Sequence, residues 1–172
     1  MEVVMGPDSI REQTICRMVD EYQLALLRAC YVCLHDRQLA EDAVQETFIK
    51  AYKTLDSFRG ECSEKTWLMR IAVNTCRDML RSKWFRHLDR RITPDELPEA
   101  ATQSAAEDVE LTLSVMHLPQ KYREVTLLYY YENMTMMEIA EALGVSQSTI
   151  STRLLRARAR LRQTLEGGRN DE

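Results

Sequence analysis

The segment from residue 135 to residue 161 most constrains the fold of this chain, because it carries start and stop signals for two helices on either side of a tight turn. Thr135 and Glu138 have the spacing of a capping box, in which each side chain accepts from the backbone amide of the other. Gly144 can supply the positive φ that a sharp turn needs, and Ser146 can cap the second helix. The segment predicts a helix-turn-helix; the alternative is an αα-hairpin that binds nothing.

The second helix of this motif is strongly basic. No acidic residue lies between Glu141 and Glu166, whereas five arginines do, and such a cluster suits contacts to DNA phosphates. Ile150, Leu154 and Leu161 have the helical spacing of a buried face. The positions left to enter a DNA major groove are Ser148, Thr149, Ser151, Thr152, Leu155 and Arg156.

Composition places the chain among ordinary globular proteins: 172 residues, 45% hydrophobic and 29% charged, enough for two small domains. No apolar run reaches the roughly 20 residues of a membrane span, and the N-terminus lacks a signal peptide pattern, so we expect a cytoplasmic protein without membrane insertion. The net charge of −4 does not exclude DNA binding, because residues 93–110 alone hold six acidic and no basic side chains. DNA senses the local field within about 10 Å.

The cysteines and histidines predict no cofactor, metal site or catalytic centre. Five cysteines are an odd number, which argues against a disulfide framework. Cys30 and Cys33 could form half of a zinc site, but no second ligand pair has suitable spacing, and both lie in a helical pattern beside leucines. We therefore expect reduced thiols, with Cys30 and Cys33 buried, and a protein that is not an enzyme. The cysteines are Cys16, Cys30, Cys33, Cys62 and Cys76.

Apolar spacing is helical nearly throughout, so the predicted fold class is all-α. Helices are expected over about 15–34 and 38–55, followed by a loop over 56–62 and a third helix from the cap Ser63 to about residue 83. The third helix should bury Leu68, Ile71, Ala72, Thr75 and Met79. The second helix should turn inward Ala40, Val44, Phe48, Ala51, Tyr52 and Leu55.

The chain divides into two domains. Residues 92–108 combine two prolines, small residues and only acidic charge, which predicts a flexible acidic linker. The first domain is predicted over 10–91, and the second over 109–166, with a helix near 109–116, another after Pro119, and then the helix-turn-helix. We expect no further sensor domain.

Two helix faces are candidates for binding. On the third helix, Arg70, Asn74, Arg77 and Arg81 form a polar, basic line, and Trp67 precedes it by one turn. Such a face suits single-stranded nucleic acid, because its cations can contact successive phosphates and its aromatic ring can stack on a base. The alternative is a solvated helix face beside a core tryptophan.

The second helix instead carries an acidic surface. Such a surface repels DNA and attracts a basic protein partner, unless it serves only solubility. Its residues are Glu41, Asp42, Gln45 and Glu46.

The blocks from 41 to 81 (EDAVQETFIKAYKTLDSFRGECSEKTWLMRIAVNTCRDMLR) and from 118 to 162 (LPQKYREVTLLYYYENMTMMEIAEALGVSQSTISTRLLRARARLR) resemble bacterial RNA polymerase sigma factors of the extracytoplasmic-function (ECF) group. The first resembles sigma region 2 and the second region 4. The resemblance implies that the acidic face docks on core RNA polymerase. It also implies promoter DNA as a partner and control by an anti-sigma factor, which could hold the protein at the membrane.

The resemblance further divides the DNA contacts between the domains. Region 2 would capture the non-template strand of the −10 element through Phe58, Arg59, Ser63, Trp67, Arg70, Asn74, Arg77 and Arg81.

Region 4 would bind the −35 element as duplex. Thr149, Thr152 and Arg156 are the best candidates for base edges, and Arg153 and Arg158 for phosphates. Family members often carry arginine or lysine where Ser151 stands, which predicts a weaker contact or a different −35 preference. The full predicted set is Ser148, Thr149, Ser151, Thr152, Arg153, Leu155, Arg156 and Arg158.

Two other functions compete with this interpretation. The first is an autonomous DNA-binding repressor, which would normally dimerise on a palindrome; the chain has no obvious zipper, and we expect no required homo-oligomer. The second is a thiol redox or metal enzyme built around Cys30 and Cys33, for which no further ligands are evident.

Overall fold

The computed structural model describes residues 7–82 and 106–168, and within these ranges every regular element is a helix. This confirms the all-α prediction. The first domain consists of α1 (Pro7–Leu34), α2 (Arg37–Thr54), a 3-10 turn (Leu55–Ser57) and α3 (Glu64–Arg81). The second consists of α4 (Ala106–Met116), α5 (Gln120–Thr126), a π-turn (Leu127–Tyr131), α6 (Met136–Leu143) and α7 (Gln147–Gly168).

Helix α1 begins at Pro7, well before the predicted start at residue 15. Proline is tolerated in the first turn of a helix, where its missing N–H has no partner to lose. The added turns are also held by tertiary contacts, because Arg11 donates to the Asp56 carboxylate at 2.7 Å and to the Tyr52 carbonyl at 2.9 Å. The early start of α1 was not predicted because the helical periodicity near the N-terminus is weak and because the residues that Arg11 contacts are distant in the sequence.

Tyr52 was predicted to face inward, and this prediction is wrong. Tyr52 is 36% exposed, and the Arg11 guanidinium lies over the Tyr52 ring at 5.1 Å from its centroid. The phenol stays at the surface because its ring can cover the arginine while its hydroxyl remains near water. The inward positions Ala40, Val44, Phe48 and Ala51 are buried as predicted.

Helix α3 starts at the predicted cap, since Thr66 N–H donates to the Ser63 hydroxyl at 3.1 Å. It ends at Arg81, slightly before the expected residue 83. Leu68, Ala72 and Thr75 of the predicted stripe are buried, while Ile71 and Met79 are half-buried. Four further side chains of α3 are also buried: Thr66, Met69, Val73 and Cys76.

The helix-turn-helix has the predicted local geometry. Thr135 N–H donates to the Glu138 carboxylate at 2.8 Å, and Glu138 N–H donates to the Thr135 hydroxyl at 3.2 Å, which completes the capping box. Gly144 has a φ of 67°, and Thr149 N–H donates to the Ser146 hydroxyl at 3.2 Å. Ile150 and Leu154 are buried, Leu161 is half-buried, and Ala157 is also buried.

The two domains share one apolar core. Helix α3 packs against α6, and α1 packs against α5 and the π-turn. Buried side chains of both domains belong to a single cluster, with Leu68 and Met69 on one side and Ile139 and Leu143 on the other. Of the predicted linker, residues 92–105 lie outside the described residues, and 106–108 form the first turn of α4.

Candidate nucleic-acid and polymerase interfaces

The loop before α3 holds two of the predicted −10 residues against each other. The rings of Phe58 and Trp67 stack at 4.7 Å between centroids, with 25° between their planes. Gly60 has a φ of 70° and bends the loop, and Ser63 ends it as the cap of α3. Arg59 is exposed at the tip. This arrangement can offer an aromatic surface on which an unpaired base stacks.

The basic line on α3 faces the second domain. Arg70 donates from Nη2 to Glu141 Oε1 at 2.8 Å and from Nε to the Glu141 carbonyl at 3.2 Å. Arg77 donates to Glu124 Oε2 at 3.3 Å and to the Leu143 carbonyl at 3.4 Å. Asn74, between them, is exposed. Acidic groups of the second domain therefore engage two of the cations that were predicted to bind DNA.

A second set of contacts joins the domains near the end of the π-turn. Glu132 is only 4% exposed, and its carboxylate lies 2.9 Å from Arg28 Nη2 and 3.1 Å from Lys65 Nζ. Lys65 also donates to the Glu132 carbonyl at 2.6 Å. These partners compensate a carboxylate that would otherwise be buried at high cost. We call the whole charged junction the seam; it consists of Arg28, Lys65, Arg70 and Arg77 facing Glu124, Glu132 and Glu141.

The acidic half of the seam was not predicted from the sequence. Glu124 and Glu132 are nearly fully buried, although glutamate is rarely buried unless it is paired. No periodic signal marks an acid whose partner lies on a helix 47 to 104 positions away. Glu124 lies next to the apolar residues of REVTLL, and an acid in such a position is a candidate for a buried carboxylate with a distant partner.

Three buried thiols lie where α1 meets α3. Cys30, Cys33 and Cys76 are at most 3% exposed, and the Cys33 thiol donates to Glu124 Oε1 at 3.9 Å. The hydrogen bond with Cys76, together with burial, raises the pKa of Cys33 well above its usual range. The contact with Cys30 is the main reason that the pKa of Cys76 is also raised. Within the described ranges no group of side chains could hold a metal ion.

The predicted polymerase face lies along the outer side of α2. Asp42 and Gln45 are exposed, while Glu41 pairs with Arg37 at 3.1 Å and Glu46 with Lys50 at 3.7 Å. Both pairs are i,i+4 neighbours at the surface, where ion pairs contribute little to stability. Ile49, one turn further on, is 47% exposed, so the face combines acidic groups with an apolar contact.

The predicted −35 residues of α7 divide into two stripes. One stripe lines a single cleft with Lys121 and Tyr122 and contains Ser148, Thr149, Thr152, Arg153 and Arg156. A hydrogen bond with Arg156 lowers the pKa of Tyr122. The other stripe contains Ser151, Leu155 and Arg158, which follow one another at spacings of four and three. Arg158 donates from Nε to the Tyr130 hydroxyl and lies over its ring.

Comparison with protein families identifies both halves of the chain. Residues 18–86 match sigma-70 region 2, and residues 108–161 match sigma-70 region 4. The ECF RNA polymerase sigma factor SigW of Bacillus subtilis is 35% identical over 86% of this chain and 87% of its own length. The chain belongs to the ECF RNA polymerase sigma factors.

Further relatives of this sigma factor support the same family and the same fold. RNA polymerase sigma-H factor of Pseudomonas aeruginosa is 31% identical over 87% of this chain and 84% of its own length. Among solved structures, CnrH in complex with the cytosolic domain of CnrY is 28% identical, with a TM-score of 0.69 over 91% of this chain and 90% of that one. RpoE of Bartonella quintana, in complex with the anti-sigma factor NepR, shares the fold at 23% identity and a TM-score of 0.76 over 90% of this chain and 98% of that one.

Members of this family direct promoter-specific transcription initiation and are regulators rather than enzymes, which agrees with the prediction from the residues. No helix in the described part of this sigma factor is long and apolar enough to cross a membrane.

Proposed function

We propose that this sigma factor binds core RNA polymerase through α2, the −35 duplex through α7, and the −10 non-template strand through α3 and the loop before it. The observation that carries the −10 assignment is the stacked pair of Phe58 and Trp67 at the start of a helix that presents Arg70, Asn74 and Arg77 in line. Flipping a base out of the duplex costs a few kcal/mol, and stacking on this pair would offset part of it.

The arrangement of the domains adds a condition to this function. Arg70 and Arg77 are bound to carboxylates of region 4 in the closed arrangement, so DNA phosphates would compete with these carboxylates for them. DNA must replace Glu141 and Glu124 as their partner. We propose that the seam opens when the sigma factor joins core polymerase, and that the closed form is the resting form.

The positions of the predicted −35 residues on α7 support separate roles for the two stripes. We propose that Thr149, Thr152 and Arg156, which line one cleft, read base edges and that Arg153 contacts phosphate. Arg158 is held by Tyr130, and we propose that it contacts phosphate from that fixed position. Ser148, Ser151 and Leu155 complete the predicted surface.

An anti-sigma factor is the regulator that best fits this chain. RpoE of Bartonella quintana was solved with its anti-sigma factor bound, and the fold of that protein is shared here. We propose that an anti-sigma factor holds this sigma factor closed in the cytoplasm, or at the membrane if the anti-sigma factor is anchored there.

The −10 role is tested with Asn74→Ala in the holoenzyme, because Asn74 is exposed and has no part in the seam. Permanganate reactivity reports strand opening, and a gel shift reports initial duplex binding on the same promoter. We expect opening to fall while duplex binding is kept, with Gln23→Ala, which removes an exposed helical amide of α1, as the matched control. Equal opening by Asn74→Ala and the wild type would contradict the assignment.

A further inference from the structure

The closed arrangement creates a cleft of about 490 Å³ at the edge of the seam, between α3, α5 and α7. Both domains contribute cations to it: Arg77 and Arg81 from region 2, Lys121 and Arg153 from region 4. Of these cations, Arg77 and Arg81 belong to the predicted −10 set and Arg153 to the predicted −35 set, whereas Lys121 belongs to neither. The cleft therefore exists only while the domains are together.

The charge of the cleft is strongly one-sided. Its lining includes a single carboxylate, Glu124, which is already engaged by Arg77 at 3.3 Å and by the Gln120 amide at 2.8 Å. Asp78 lies 3.6 Å from Arg81, but both side chains are more than half exposed, so water screens this pair. Bringing like charges into one cleft raises the energy of the closed form unless an anion enters.

The size and lining of the cleft favour a small ligand over a peptide. Its volume lies within the range of small-molecule sites, about 300–1,000 Å³. An acidic peptide would need apolar anchor pockets for affinity, and the apolar lining is limited to Leu80 and Pro119. Arginine pairs with phosphate through two parallel N–H groups, and lysine adds a point charge.

We propose that this cleft binds a small polyphosphate anion, such as a nucleoside polyphosphate, which bridges Arg77 and Arg81 of region 2 to Lys121 and Arg153 of region 4. A ligand that binds only the closed form shifts the equilibrium toward it. Bound polyphosphate therefore opposes promoter opening and occupies a cation predicted to contact −35 phosphate. This regulatory consequence rests on the proposed function, whereas the binding itself does not.

The test uses the full chain and inorganic tripolyphosphate in isothermal titration calorimetry, at constant ionic strength. Lys121→Ala is the key variant, because Lys121 is exposed and belongs to neither predicted DNA set, although it also lines the −35 cleft of α7. We expect one site per chain and a loss of affinity of at least about tenfold in the variant, as expected for one charge-assisted contact. Lys53→Ala, an exposed lysine of α2, should bind as the wild type does.

Two further arms separate the possible ligands. A glutamate-rich peptide of equal charge should bind much more weakly than tripolyphosphate. A single-stranded −10 oligonucleotide should be displaced by tripolyphosphate from the wild type, and less so from Lys121→Ala. Equal affinity of wild type and Lys121→Ala, or equal binding of the acidic peptide, would overturn the proposal.

Run-off transcription then separates this inference from the proposed function. If tripolyphosphate does not bind but the chain still directs transcription from promoters, the polyphosphate site is wrong and the sigma role stands. If tripolyphosphate binds as expected, we expect it to inhibit run-off by the wild type more strongly than run-off by Lys121→Ala, with each protein compared with its own run-off in the absence of tripolyphosphate. Binding without that difference would overturn the regulatory consequence.

Discussion

Arg70 and Glu141 join the two domains by a double contact: the guanidinium donates to the carboxylate at 2.8 Å and to the carbonyl of the same residue at 3.2 Å. Arg70 is at the same time one of the predicted −10 contacts. In the proposed function a DNA phosphate would replace Glu141 as the partner of Arg70. The closed form thus pairs a cation that is predicted to bind DNA with an internal anion.

The first prediction concerns the competition between these carboxylates and DNA. The double change Glu124→Gln with Glu141→Gln should raise affinity for a single-stranded −10 oligonucleotide, because Arg70 and Arg77 lose their charged partners. The Arg70 pair is more than a third exposed, so we expect only about threefold to tenfold in fluorescence anisotropy. Glu21→Gln, which removes the surface partner of Arg17, is the matched control. No gain over this control would show that the seam does not compete with DNA.

The second prediction concerns the stability of the closed form. Glu132→Ala should lower the free energy of unfolding by about 3–5 kcal/mol, because it leaves Arg28 and Lys65 without their buried partner. Urea denaturation measures this change. Glu46→Ala, which removes an exposed partner of Lys50, should lower it by at most about 1 kcal/mol. Similar effects of the two changes would mean that Glu132 is more accessible to water than its 4% exposure indicates.

The third prediction concerns pH. The pKa of Cys33 and that of Cys76 are raised in the folded protein by their thiol contacts and burial. The stability they contribute is fully present below the unfolded pKa of about 8.5 and is lost as pH rises beyond it, because the unfolded thiols ionise first. Above pH 8.5, Cys33→Ser should make the decline of unfolding free energy shallower by up to about 1.4 kcal/mol per pH unit. A wild-type slope in Cys33→Ser would contradict this, and exposed Cys16→Ser is the control.

The fourth prediction concerns the two stripes of α7. Arg156→Ala should relax preference at one −35 base pair by about 1–3 kcal/mol, whereas Arg158→Ala should weaken all promoters alike and reduce the salt dependence. Because Arg158 is held by Tyr130, Tyr130→Phe should reproduce part of the Arg158 effect without changing sequence preference. Binding titrations on a set of −35 variants measure the affinity and the base preference of all three protein variants. A change of base preference in Arg158→Ala would assign it to base reading instead.

The fifth prediction concerns the acidic face of α2. Asp42→Lys with Glu46→Lys should lower affinity for core polymerase, because both side chains lie on the outer side of the helix and the partner surface is expected to be basic. Circular dichroism should show an unchanged fold. Unchanged core affinity would mean that the face serves only solubility.

Local signals predicted the elements of this fold well, because each depends on a few neighbouring residues. The capping box of Thr135 and Glu138, the left-handed Gly144 and the cap Ser63 were all correct in position. The extension of α1 to Pro7 was missed because Arg11 is held by residues more than 40 positions away.

The candidate site was predicted only in part, for the same reason. The line of Arg70, Asn74 and Arg77 follows from helical spacing, but the pairing of the two arginines with Glu141 and Glu124 depends on how the two domains pack. Residue spacing along one helix carries no information about how the two domains pack against each other. The pattern therefore predicted which groups can bind DNA, and not that other groups of the chain already engage them.

The most direct measurement is run-off transcription with purified bacterial core polymerase, with and without this chain, on a pool of candidate promoter fragments. The account predicts discrete transcripts that require the chain, with start sites preceded by shared −35 and −10 sequences. An absence of such transcripts, together with polymerase-independent binding to a palindromic fragment, would contradict the account and favour an autonomous repressor.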